Sequence, residues 1–182
     1  MTVRTGKGER RKAQLAAAAA DLVLREGPGA LTHRRVAAAA GASLSATTYY
    51  FADLDELAAA AGRALVAAWV AHAEGVLAAS DGPVADAAGR VVDAVLPPGD
   101  DEQVRAHYEH LLGAGRNVAL AGAIADARAE LDAVVARLVD RVGLRVPAAV
   151  AVALVDGAAV SALSEGRPVR TTARGLLAVV SG

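Results

Sequence analysis

Clusters of glycine and proline divide the 182-residue chain into segments in which apolar side chains recur every three or four residues. The main breaks fall at residues 27–29, 82–83, 97–99 and 166–168. Alanine, the best helix former, supplies 48 of the 182 residues, whereas aromatic residues make up only 3%. This pattern predicts an all-α protein of about nine helices.

Several classes of protein are excluded by what the sequence lacks. Without cysteine there is no disulfide framework, thiolate zinc site or cysteine nucleophile. The longest apolar run, residues 146–155, is far shorter than the roughly 20 residues that span a membrane, and no secretory signal opens the chain. No phosphate-binding loop or hydrolase motif occurs. His107 and His110 could share a metal ion, but no third ligand is evident. We therefore expect a cytoplasmic protein that is not an enzyme and has no membrane segment, cofactor or metal.

The near-neutral net charge of -1 conceals an asymmetry. Residues 1–51 carry eight Lys or Arg and three acidic residues, a balance of +5. The remaining residues hold 11 basic and 17 acidic side chains, a balance of -6. A basic amino-terminal third on an acidic body favours contact with a polyanion at one end, although an ordinary solvated surface has the same charge.

The first third of the chain has the pattern of a helix-turn-helix unit. A first helix is predicted over 9–26, followed by a second that Thr32 caps and that ends near Ala40, with Gly41 placed for a left-handed turn. Ser43 can cap a third helix through Tyr50, and Asp53 a long fourth helix. Two short helices joined by a glycine turn can place the second one in the DNA major groove.

The motifs in this region resemble the DNA-binding domain of the tetracycline-repressor (TetR) family of bacterial transcription regulators. They fall in the family's order over residues 9–57: Leu31-Thr32-His33-Arg34-Arg35-Val36-Ala37, Gly41-Ala42-Ser43, Thr48-Tyr49-Tyr50-Phe51 and Asp55-Glu56-Leu57. Two departures occur, because Thr47-Thr48 replace a large apolar residue and a tyrosine, and Leu54 replaces a frequent lysine. The resemblance implies a DNA-binding domain over 1–52 and a ligand-binding and dimerisation domain over 53–182. Residues 1–8 are expected to be a flexible basic arm whose Arg4 and Lys7 follow an adjacent groove or the DNA backbone, the alternative being a disordered arm with no role.

Carried over by position, the resemblance assigns three kinds of DNA contact. Phosphates are expected at Thr32 and His33, and a base edge or phosphate at Arg34. The base-facing positions of the third helix are Leu44, Ser45, Ala46 and Thr48, which suit hydroxyl bonds and thymine methyl contacts. Tyr49 and Tyr50 are expected to bind phosphates, the alternative being simple packing, and Phe51 is assigned to the core.

The remaining residues are predicted to form helices at about 84–95, 101–115, 118–142, 147–165 and 171–180. The helix at 147–165 is apolar around most of its circumference, so more than one of its sides must be covered. The resemblance implies that the last two helices form the interface of a homodimer. A central helix in a monomer is the alternative.

Bulky or polar residues that interrupt the alanine-rich helices are the candidates for an effector site. They are Trp69, His72, His107, Tyr108, Asn117 and Asp156. Each could instead be an ordinary core or surface residue.

Together these features predict a ligand-responsive regulator, most simply a repressor. We expect it to bind a palindromic double-stranded DNA operator as a dimer and to be released by a small, mostly apolar effector. Two other classes stay open: a ligand-binding or interaction module without DNA binding, and an all-α enzyme.

Overall fold

The computed structural model describes residues 6–181, and within them the chain forms nine α-helices. The first four are α1 (Lys7–Glu26), α2 (His33–Ala39), α3 (Leu44–Tyr50) and α4 (Leu54–Ala78). The other five are α5 (Ala87–Val95), α6 (Asp101–Leu111), α7 (Val118–Val142), α8 (Ala148–Glu165) and α9 (Val169–Ser181). Single 3-10 turns, Pro28–Ala30 and Ala114–Arg116, follow α1 and α6. The predicted all-α class is confirmed.

The predicted caps of the short amino-terminal helices are confirmed. The hydroxyl of Thr32 accepts a hydrogen bond from the backbone N–H of Arg35, and that of Ser43 accepts one from Ala46. The Asp53 carboxylate accepts from the N–H of Glu56 at 2.8 Å. Gly41 has a φ of 57°, the left-handed conformation that ends α2.

Some helix boundaries differ from the sequence prediction. α1 begins at Lys7 rather than Glu9, because the Glu9 carboxylate reaches back to the backbone N–H of Gly6. The predicted arm over 1–8 therefore ends earlier, and its Arg4 lies outside the described residues. α5 begins at Ala87 rather than Val84, because Asp86 caps it by accepting from the N–H of Gly89.

The carboxyl-terminal boundaries also shift. α6 ends at Leu111 instead of 115, and it is followed by a turn at residues 112–113 and by the 3-10 turn Ala114–Arg116. Pro147 is the N-cap of α8 rather than its first helical residue. α9 extends two residues earlier than predicted and one later, while α7 has the predicted bounds.

Two compact units, each with its own core, make up the fold. The amino-terminal unit contains the described residues up to Val66 and Glu109–Ala127, and the carboxyl-terminal unit contains Ala67–Tyr108 and the described residues from Arg128 onward. In the first unit, Gly62 lets α4 approach α7 closely, since an added Cβ would lie 2.8 Å from the carbonyl oxygen of Leu120. These units follow packing, so the functional boundary at residues 52–53 stays a prediction.

The core of the carboxyl-terminal unit is aliphatic and is contributed mainly by α5, α7, α8 and α9. Within the described residues, α8 alone is long and apolar enough to meet the length and composition criteria for a membrane span, with a mean hydropathy of 1.6. Six of its residues, among them Val152 and Val155, are buried in this core. A core helix of a soluble protein has these same properties.

Candidate functional site

The α2–α3 pair presents a mixed polar and apolar face to solvent. On α3, Leu44 is 51% exposed and Tyr49 is 81% exposed, and Ser45 and Thr48 are exposed beside them. Thr47 and Phe51 are fully buried on the opposite side. The family departure at Thr47 thus falls at a core position, where its hydroxyl lies 3.4 Å from the backbone carbonyl of Ser43.

The hydroxyl groups on the exposed face of α3 are held close to the helix. The Oγ atoms of Ser43 and Ser45 lie 2.9 Å apart, and the Thr48 hydroxyl donates to the carbonyl of Leu44 at 3.3 Å. The rings of Tyr49 and Tyr50 meet edge to face, with their centroids 5.0 Å apart. Tyr50 and Ala46 are half-buried, so these two predicted contact residues are less accessible than the other four on this helix.

The amino end of α2 contributes the remaining predicted contact residues. Thr32 and Arg34 are exposed, whereas His33 is half-buried. The Nδ1 atom of His33 is buried without a hydrogen-bond partner among the described residues. Arg35 forms an ion pair with Glu26 at the end of α1, and no such pair is formed by Arg34 within the described chain. The neighbouring arginines therefore differ, and Arg34 is the one available to a ligand.

An ion pair that the sequence analysis did not predict supports this face from behind. Lys12 of α1 lies 2.9 Å from Glu56 of α4 and sits above the ring of Phe51, 5.2 Å from its centroid. Glu56 also accepts a hydrogen bond from the backbone N–H of Ala52. That N–H, and then Lys12, lower the pKa of Glu56. The only sequence signal was the Asp53-x-x-Glu56 spacing at the start of α4, which is typical of a helix cap.

Four of the predicted effector residues come together in the carboxyl-terminal unit. The ring centroids of Trp69 and His107 are 5.8 Å apart, and His107 lies edge-on to Tyr108. The Tyr108 hydroxyl donates to Asp156 at 2.7 Å. Arg128, which the sequence analysis did not single out, lies 3.9 Å from the other oxygen of Asp156.

Burial controls the protonation of this cluster. It lowers the pKa of His107 to about 4, so the imidazole is neutral at physiological pH. Burial also raises the pKa of Tyr108, and the nearby Asp156 carboxylate raises it further. Burial raises the pKa of Asp156 against the opposing effects of Tyr108 and Arg128. The arrangement offers aromatic faces beside a carboxylate, one of whose oxygens has no close hydrogen-bond donor within the described chain.

The other two candidate effector residues have structural partners. His72 lies 2.7 Å from the backbone carbonyl of Asp93, and Asn117 caps α7 by accepting from the N–H of Leu120. Asn117 belongs to the amino-terminal unit and the Trp69 cluster to the other. Across residues 6–181, no group of three or more His, Asp or Glu side chains is placed to hold a metal ion.

The last two helices leave apolar side chains uncovered. On α8, Val150 and Val160 are exposed, and Gly157 and Ser161 lie on the same side of the helix. On α9, the exposed apolar residues are Leu176, Val179 and Val180, with Val179 80% accessible. Exposed apolar patches are typical of interaction sites, so the two helices are a candidate for one.

Comparison with known proteins identifies the family. Residues 79–182, more than half of the chain, match the family model described as "Tetracyclin repressor-like, C-terminal domain". The chain belongs to the TetR family. The matched region lies outside residues 9–57, which carried the sequence resemblance, so the two ends of the TetR-family chain indicate the same family independently. A regulator rather than an enzyme was predicted, and this membership agrees.

Solved structures that are 31–32% identical to this chain share its fold over nearly the whole length. The multidrug binding protein EbrR complexed with ethidium is 31% identical with a TM-score of 0.67, over 94% of this chain and 99% of that one. EbrR complexed with malachite green is 32% identical with a TM-score of 0.66, over 96% and 99%. A TetR-family member from Streptomyces coelicolor, SCO1917, is 31% identical with a TM-score of 0.66, over 94% and 98%. No curated protein matches the chain.

Proposed function

We propose that this TetR-family regulator is a repressor that binds a palindromic operator as a homodimer and is released by a small aromatic effector. The observation that carries the proposal is the exposed α3 face, on which Leu44, Ser45 and Thr48 lie beside the highly accessible Tyr49. Large exposed aromatic side chains are unusual on a surface that binds nothing. Arg34 supplies an available positive charge from the adjoining helix.

The type of base recognition follows from the residues on this face. Leu44, Ser45, Ala46 and Thr48 bring hydroxyl and methyl groups to the groove rather than long cationic side chains. Such groups contact thymine methyls and base acceptors, and each distinguishes bases less strongly than a bidentate arginine does. Thr32, His33, Tyr49 and Tyr50 then fix the register through the phosphates.

The partner of the α8–α9 face is a second copy of the chain. Its exposed residues are aliphatic or small, which suits close packing of symmetric helices. Reading a palindrome requires two recognition helices separated by one turn of duplex, and a two-fold dimer supplies them. The predicted interface at 147–165 and 171–180 remains the proposed one.

The effector site is proposed at Trp69, His107, Tyr108 and Asp156, with Arg128 added. Trp69, His107 and Tyr108 form a row of neighbouring rings that ends at the Asp156 carboxylate, so the site suits a flat molecule with a donor or positive charge at its edge. EbrR, which binds ethidium, malachite green and proflavin, supports this class of ligand. The effector is therefore more polar at one point than the sequence alone predicted.

α4 is the proposed route of the response. It is unbroken from Leu54, beside the DNA-binding helices, to a second half that carries Trp69. An effector shifts the operator equilibrium only if it binds the released state more tightly than the bound state.

The experiment that tests this function is selection of fragments of the protein's own genome by the purified regulator, followed by titration of the selected fragment. We expect one or a few palindromic sites, nanomolar affinity that falls steeply with salt, and release by ethidium used as the probe. Selection of no sequence, with salt-independent binding, would contradict DNA regulation and favour a ligand-binding module without DNA.

A further inference from the structure

A second charged surface adjoins the recognition helix. Where α1 begins, a groove of about 660 Å³ is open to solvent. Its lining comes from the first two turns of α1 and from the last residue of α3: Lys7, Gly8, Arg10, Arg11, Gln14 and Tyr50. Of these residues, Tyr50 is among the DNA contacts proposed above and Lys7 belongs to the predicted basic arm, whereas Arg10 and Arg11 have been given no role so far.

The cations of this groove are available to a ligand. Within residues 6–181, neither Lys7 nor Arg10 forms an ion pair, and both are exposed. Arg11 makes only long hydrogen bonds, 3.3 Å to the Gln14 side chain and 3.5 Å to the carbonyl of Gly41. Glu9, the acidic residue of this turn, faces the backbone N–H of Gly6 and does not line the groove.

The next cation along α1 differs in this respect. Lys12 is held by Glu56 at 2.9 Å and covers the Phe51 ring. The first turns of α1 therefore carry two kinds of cation, one held by an ion pair and the others without one. Lys12 stabilises the fold, whereas Lys7, Arg10 and Arg11 face solvent with little or no internal compensation.

Tyr50 connects the groove to the DNA-reading helix. Gly8 leaves room for its ring, since a Cβ added there would lie 3.6 Å from the Tyr50 hydroxyl oxygen. That hydroxyl makes no hydrogen bond within the described part of the chain, and it opens onto the same groove as the three cations. Three positive charges and one hydroxyl donor on a concave surface suit a phosphate better than any neutral group.

We propose that this groove binds the sugar-phosphate backbone that flanks the bases read by α3, with Lys7, Arg10 and Arg11 as counter-charges and Tyr50 as a donor. This inference rests on the proposed DNA-binding function. It extends the contact surface from α2 and α3 to α1. Such contacts neutralise phosphates and carry no base sequence information, so they add affinity equally to all duplexes.

The test is the salt dependence of binding to the selected operator, followed by fluorescence anisotropy between 50 and 200 mM salt. The triple variant Lys7→Gln, Arg10→Gln, Arg11→Gln is compared with the wild type in the full chain. Each lost phosphate contact lowers the slope of log affinity against log salt by about 0.9, and the dimer loses up to three contacts per subunit, so we expect the slope to fall by about 5. Affinity for a scrambled duplex should fall by the same factor as affinity for the operator.

The matched control is Lys12→Gln, which removes the same charge from the same helix. We expect its salt slope to equal that of the wild type, because Lys12 is engaged by Glu56. Circular dichroism melting establishes that both variants are folded. A triple variant with the wild-type slope would overturn the inference, as would a Lys12→Gln slope reduced as much per charge. Salt-independent binding by the wild type would instead remove the proposed function itself.

Discussion

Both units of the molecule expose large apolar side chains, but the neighbours of those side chains differ. In the amino-terminal unit, Leu44 and Tyr49 share a short helix with the exposed hydroxyl groups of Ser45 and Thr48, and Arg34 is exposed on the preceding helix. In the carboxyl-terminal unit, the exposed residues around Val160 and Val179 on their helices are mostly alanine, glycine and valine, with the serines Ser161 and Ser164 near Val160. An exposed apolar group beside hydroxyls and a cation suits a nucleic acid, whereas one on an aliphatic surface suits another protein surface. The surroundings of an exposed residue are therefore more informative than its exposure.

The largest expected effect is a loss of operator affinity without a loss of stability in the amino-terminal unit. The double variant Arg34→Ala, Tyr49→Ala should bind the selected operator at least about 1,000-fold more weakly, since each lost DNA contact costs roughly 1–3 kcal/mol and the dimer loses two contacts in each subunit. Its melting temperature should stay within about 2 °C of the wild type, because both side chains are exposed. Anisotropy and calorimetry measure the two quantities. Equal losses of affinity and stability would show that these residues support the fold.

The next effect concerns the aliphatic face of the carboxyl-terminal unit. The double variant Val160→Asp, Val179→Asp should weaken self-association at least about 100-fold, because it places unpaired charges in an apolar interface. Sedimentation equilibrium measures the dissociation constant. The matched control is Val118→Asp in the amino-terminal unit, where Val118 is 87% exposed at the first position of α7. An equal loss in this control would contradict the contrast between the two surfaces.

The units also differ in how their titratable groups are perturbed. Hydrogen bonds lower the pKa of Glu56 in one unit, and burial lowers that of His107 to about 4 in the other. Between pH 4 and 6.5 the unfolded chain protonates this histidine and the folded chain does not, so the unfolding free energy rises with pH across that window. His107 changes the unfolding free energy by about 3 kcal/mol at most. This stability is fully present above pH 6.5 and is lost as the pH falls towards 4.

Urea unfolding of wild type and His107→Gln at several pH values measures this dependence. The difference between the two proteins isolates His107 from Asp156, whose raised pKa acts in the opposite direction. We expect the difference to change by about 2–3 kcal/mol across the window. A constant difference would show that His107 is hydrated in solution.

The smallest effect compares the two halves of α4. Gly62→Ala should destabilise the protein by about 1–2 kcal/mol, because the new Cβ would meet the carbonyl of Leu120 at 2.8 Å and the Ala123 side chain at 3.0 Å. Gly75→Ala should stabilise it by about 0.5–1 kcal/mol, since nothing lies within 4 Å and alanine favours the helix. Urea unfolding measures both. If both substitutions changed the unfolding free energy in the same direction, the close approach of α4 and α7 at Gly62 would be contradicted.

Local signals made the amino-terminal unit predictable. Each of the three helix caps accepts a hydrogen bond from the backbone N–H three residues later, so its role can be read from a few consecutive residues. These caps are Thr32, Ser43 and Asp53. The fold class followed in the same way from the spacing of apolar residues and the positions of the breaks.

Contacts between distant residues were not predictable. Lys12 and Glu56 are 44 residues apart, and nothing near either one indicates the other. Arg128 looks like an ordinary partner of Asp132 one helical turn later, which it is, and its approach to Asp156 depends on the packing of α7 against α8. His72 was listed with Trp69 as a candidate because helical spacing places both on one face of the helix, but that spacing gave no sign that His72 lies 2.7 Å from the backbone carbonyl of Asp93.

Because α4 is long and uninterrupted, a small tilt at one end of the helix produces a large displacement at the other end. Its 25 residues form a rod of about 37 Å at roughly 1.5 Å per residue. A tilt of about 5° displaces the far end by roughly 3 Å, and two-fold symmetry would double this to about 6 Å between the paired rods. Successive turns of the major groove are about 34–36 Å apart, so in the proposed dimer a small angular change would be enough to move the two α3 helices out of register with the duplex.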